Sequence, residues 1–66
     1  MSIITVISWN SGRGEHPWVA TAESNGLVQV FHKRSAFSRD AAEENALSAA
    51  RRELERLDCR MREVEL

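Results

Sequence analysis

The chain has one cysteine, one proline, three glycines and no tyrosine among its 66 residues. A lone Cys59 excludes an internal disulfide and gives no sign of an oxidising compartment. No apolar run approaches the roughly 20 residues that span a bilayer. The start, Met1-Ser2-Ile3-Ile4-Thr5, has neither the basic region nor the apolar core of a signal peptide. A soluble, cytoplasmic chain with no membrane partner is the expectation.

Chemistry-bearing residues are equally sparse. His16 falls in a polar stretch, His32 at the end of an apolar run and Cys59 inside a helical pattern, so nothing brings a thiol and an imidazole within hydrogen-bond reach. Three or four convergent ligands are needed for a metal, and this set has no recognisable spacing. Gly12-Arg13-Gly14 is followed by Pro17 and a strand pattern, whereas a phosphate cradle is followed by a helix N-terminus. No enzyme activity, cofactor or metal is expected.

What is present specifies an architecture. Residues 2–9 are rich in β-branched and aromatic side chains and read as a strand, with Ile3, Ile7 and Trp9 on one face and Ile4 and Val6 on the other. Residues 10–17 are a loop by composition. Residues 18–23 and 27–32 form two further strands around Asn25-Gly26, the dipeptide that favours a two-residue type I′ turn with φ > 0 at both positions. That turn sets Ala20 opposite Phe31 and Thr21 opposite Val30. It predicts a helix-facing side of Trp18, Ala20, Ala22, Leu27 and Phe31. The other side would carry Val19, Thr21, Val28, Val30 and His32.

Ser38 is a good N-cap, with Asp40 and Glu43 an alternative capping pair. From Arg39 to Val64 there is no glycine or proline, and acids crowd the first turns. The fold class is therefore α+β. Residues 1–66 form a single β-β-β-α domain, a three-stranded antiparallel sheet covered on one face by a long C-terminal helix. The end of that helix, about residues 54–66, is expected to overhang the sheet.

Trp18 to Leu54 resembles the second half of a double-stranded RNA-binding domain. The resemblance rests on two strands and a turn, followed by Ser38-Arg39-Asp40-Ala41-Ala42-Glu43-Glu44-Asn45-Ala46-Leu47. Ser38, Ala42 and Ala46 fit the family's packing pattern and imply its β-β-α topology. Asp40 and Glu43 stand where the family has phosphate-binding lysines, and only Arg39 keeps the charge. A strand and loop replace the family's first helix. The resemblance thus supports the topology and argues against RNA binding. In size and style the chain also resembles small phage accessory proteins such as anti-CRISPR proteins.

A domain of about 60 residues is marginally stable, and natural ones add disulfides, metals or a partner subunit. A partner subunit is the device left open here. Leu47, Ala50, Leu54, Leu57, Met61 and Val64 are spaced 3-4-3-4-3, a heptad seam. An antiparallel pair of such helices would stack Leu54 on Leu57 of the second copy and set Glu53 beside its Arg60. These residues are the candidate dimer interface. Trp9, Arg13, Lys33, Arg34 and Arg39 are candidate contacts for a further partner. The expected function is a non-enzymatic homodimeric protein–protein interaction module, an inhibitor or regulator of a larger complex. The alternative is a nucleic-acid-binding regulator whose basic patch lies at the sheet end. Residues 1–39 carry four cations against two acids and residues 40–66 five against eight. Neither half has the excess of a dedicated nucleic-acid binder.

Overall fold

A computed structural model describes the backbone of residues 3–25 and 29–65, and the side chains as far as Leu57. It contains β1 (Ile4–Asn10), β2 (Trp18–Asn25), β3 (Gln29–Ala36) and α1 (Arg39–Glu65). The strands form an antiparallel sheet in the order β1-β2-β3, and α1 packs on one face.

The β1–β2 connection is closed at its base. Ser11 donates to the Pro17 carbonyl from both its N–H (2.7 Å) and its hydroxyl (2.9 Å). The Gly12 N–H donates to Asn10 Oδ1 at 2.8 Å. Gly12 and Gly14 have φ of 71° and 70°, which L side chains rarely adopt. A Cβ at either would meet nothing within 4 Å, so conformation alone requires glycine.

Ser38 caps α1 as expected: its Oγ accepts the Ala41 N–H at 3.2 Å, and its carbonyl accepts the Ala42 N–H at 3.1 Å. The helix then lays Ala42, Ala46 and Ala50, four residues apart, against Ala20 and Ala22 of β2 and Val30 and Ala36 of β3. Among the described residues the buried apolar ones are six alanines and two valines. Ile4, Val6, Trp18, Leu54 and Leu57 close the margins. Two side-chain contacts tie α1 to the outer strands. Ser8 Oγ of β1 donates to Glu43 at 2.8 Å, and His32 of β3 meets Glu53.

The hairpin differs from the expectation. Asn25 pairs with Gln29 and Ala22 with His32, so the connection spans residues 26–28 rather than two residues. Asn25 is the last residue of β2 and does not have positive φ. Gly26, Leu27 and Val28 lie outside the described residues. A shift of three is odd, and an odd shift turns every side chain of β3 to the opposite face. Val30 and His32 therefore join Trp18, Ala20 and Ala22 beneath the helix, while Phe31 lies on the far side. Size explains the choice. The two-residue register would place Phe31 opposite Ala20, under a helix that approaches on alanine. The observed one buries Val30 and Ala36 there, with His32 and Arg34 toward the edge of the helix side.

With 27 residues α1 runs about 40 Å, against about 27 Å for a strand of eight. Leu57 still packs on the core, so contact with the sheet continues past the expected start of the overhang. The side chains beyond it are outside the described residues.

Ala46→Leu would drive a larger side chain into the fully buried alanine contact between helix and sheet. We expect it to lower unfolding free energy by about 1–3 kcal/mol. Asn45→Leu, on the exposed flank, should change it by no more than about 0.5 kcal/mol. Urea denaturation checks both.

Candidate functional site: the bare face of the sheet

The register places eleven described side chains on the face opposite α1: Asn25 and Gln29 pair at its end, and the other nine form three full cross-strand rows. Thr5, Glu23 and Phe31 form the first, Ile7, Thr21 and Lys33 the second, Trp9, Val19 and Ser35 the third. Among the described residues nothing covers them. Ile7 is 58%, Phe31 57% and Trp9 41% exposed. Ile3 and Phe37, at the ends of the face, are also exposed. Val19 is the exception, buried among its neighbours.

The distribution inverts the usual one. Apolar residues left singly on a surface need no explanation; here Ile7 and Trp9 are same-face neighbours on β1, and Phe31 shares their face two strands away on β3. Lys33 reaches diagonally across the sheet, and its Nζ lies 6.0 Å from the centre of the Trp9 ring. At an exposed site such a cation–π contact contributes about 0.5–1 kcal/mol. The face thus holds an indole, a phenyl and an aliphatic group with one cation and one carboxylate beside them. That set can bind, but it contains no nucleophile–base pair.

The residues expected to meet a partner are dispersed. Trp9 and Lys33 lie on the bare face. Arg34, next in the strand, points to the helix side, into a shallow cleft of about 380 Å³ with His32, Arg52, Glu53 and Arg56. Arg39 is exposed at the start of α1, 3.9 Å from Glu43. Arg13 is exposed in the β1–β2 loop. The expected basic patch at the sheet end is therefore divided between two faces. Sequence reasoning missed Arg52 and Arg56, whose four-residue spacing places them on one helix flank. It also missed Phe31, which only the true register brings to the surface.

Of the expected dimer seam, Ala50 is fully buried against the protein's own sheet, while Leu47, Leu54 and Leu57 are half-buried. Glu53 contacts His32. The side chains of Arg60, Met61 and Val64 lie outside the described residues.

Among the described residues no three His, Cys, Asp or Glu converge as a metal site would require, and no helix is long and apolar enough to cross a membrane. Comparison with protein-family models, curated proteins and solved structures finds no match to this chain.

Charge-selective quenching tests this geometry. In a Trp18→Phe background Trp9 is the only emitter. Iodide should quench it more than caesium does, because the Lys33 ammonium sits at its ring. Lys33→Glu should reverse that preference. Equal weak quenching by both ions would mean that Trp9 is covered.

Proposed function

We propose that the chain is a non-enzymatic, homodimeric protein–protein interaction module acting in the cytoplasm, and that the bare sheet face holds its partner protein. The observation that carries this reading is the exchange of large and small residues between the two faces. The protein packs alanine inside and leaves Ile7, Trp9 and Phe31 outside. Interface hot spots are enriched in such buried aromatic anchors. A binding face with no reactive groups beside it suits a small inhibitor or regulator of a larger complex, the accessory type found in phages and plasmids.

A second reading draws on the same face. Trp9 and Phe31 with Lys33 would also suit the stacking of single-stranded bases. Glu23 in the same rows and a net charge of −1 weigh against it.

Affinity capture from the cell of origin, read by mass spectrometry, tests the first reading when run in parallel with Phe31→Ser and Trp9→Ser. Recovery of a specific protein should fall at least tenfold with either variant, since truncating an anchor costs about 2 kcal/mol or more. Equal recovery by all three proteins would overturn the assignment of the face. A mobility shift with single-stranded oligonucleotides that weakens steeply with salt would favour the second reading, and no shift at low salt would remove it.

A further inference from the structure

The two edges of the sheet differ. β1 and β3 are both outer strands, each with one row of main-chain N–H and C=O groups facing away from β2. Proteins protect such rows with charged side chains, proline, bulges or a covering element. β3 is protected: it carries His32, Lys33 and Arg34, and Arg52 and Arg56 of α1 lie alongside. β1, Ile-Thr-Val-Ile-Ser-Trp-Asn, has no charge, no proline and no glycine over its seven residues. The helix also lies mainly over β2 and β3, which leaves Ile4 and Val6 half-buried beside the Leu47 flank of α1.

We infer that β1 pairs antiparallel with β1 of a second copy, joining two sheets into one of six strands. This rests on the homodimer reading above and names its interface. Three observations choose a second copy as the occupant.

The first is register. A two-fold axis normal to the sheet leaves each face on its own side, so bare-face residues must oppose bare-face residues. Side chains alternate with period two, so the axis passes through a residue. Pairing all seven residues of β1 puts it at Ile7. Ile7 then meets Ile7 of the second copy, and Thr5 meets its Trp9. On the helix side Val6 meets Ser8 and Ile4 meets Asn10. None of the seven paired residues of β1 is charged.

The second is charge along the helix flank. Asp40, Glu44, Leu47 and Arg51 are spaced 4-3-4 and share the flank of α1 that looks over β1, where Asp40, Glu43, Glu44 and Leu47 line a shallow groove with Val6. The same axis makes the two helices antiparallel. The acidic end of one flank then confronts Arg51 of the other, and the two Leu47 side chains share the trough between them. The third is exclusion. The same operation at β3 would bring Lys33, Arg34, Arg52 and Arg56 against their own copies.

The test is disulfide trapping with hydrogen exchange. In a Cys59→Ser background, Ile7→Cys should give a disulfide-linked dimer under mild oxidation, because directly opposed residues of an antiparallel pair lie about 4.5–5.5 Å apart. Ser35→Cys on β3 should not. In the unmodified chain, light scattering should report twice the monomer mass. Every amide of β1 should exchange slowly, the alternate amides of β3 fast, and Trp9 should stay open to iodide. Trapping at Ser35 but not Ile7, fast alternate amides in β1, or a dimer that shields Trp9 would each overturn this interface. A monomer at all accessible concentrations would overturn it together with the homodimer reading. Partner recovery that depends on Phe31 could still stand, so the two failures are distinguishable. Should Ile7→Cys not fold, the exchange pattern of the unmodified chain decides alone.

Discussion

The close approach of α1 to the sheet is the constraint on which the rest of this fold depends. Ala42, Ala46 and Ala50 on the helix meet Ala20, Ala22 and Ala36 on the strands, all at or below 5% exposure. Contacts between residues this small draw the two layers together and leave no room for a phenyl or indole ring between them. The helix also lacks internal freedom to move away. Ser38 fixes its start, Glu43 is held by Ser8 on one outer strand, and Glu53 meets His32 on the other.

Everything large must then go elsewhere. Trp18, Leu54 and Leu57 occupy the margins of the contact, and Ile7, Trp9 and Phe31 take the opposite face. An alanine core also contributes little. Each buried methyl or methylene is worth about 0.8 kcal/mol, and alanine supplies only one. A domain of this size gains from covering the larger groups it leaves outside. Intrinsic stability and the exposure of Ile7, Trp9 and Phe31 are thus linked by one packing arrangement.

The strands, the helix start at Ser38 and the fold class were legible because each has a local cause. β-branched runs, a capping hydroxyl and the absence of glycine and proline all act within a few residues. The hairpin register was not legible from Asn25-Gly26, because the turn preference competed with a tertiary demand. It lost to the need for Val30 and Ala36, rather than Phe31, beneath the helix. The signal was present: Val30, His32, Arg34 and Ala36 alternate with Phe31, Lys33 and Ser35, and only the first set has small residues at both ends. It becomes readable once alanine spacing along the helix is taken to fix the interlayer distance. The bare face followed the same path. Trp9 was legible from sequence as a candidate contact and is exposed, while Phe31 joined its face only after the register changed. Arg34 left the expected basic patch because consecutive strand residues cannot share a face.

The unequal chemistry of the two sheet edges carries a consequence for how far association can proceed. A sheet with two plain borders accepts a neighbour on each side and grows into a ribbon without a natural end. A sheet with one plain border and one studded with Lys33 and Arg34 accepts a single neighbour, and the product shows cationic borders on both flanks. Stoichiometry would then be set by the side chains of β3, a strand that takes no part in the joint itself.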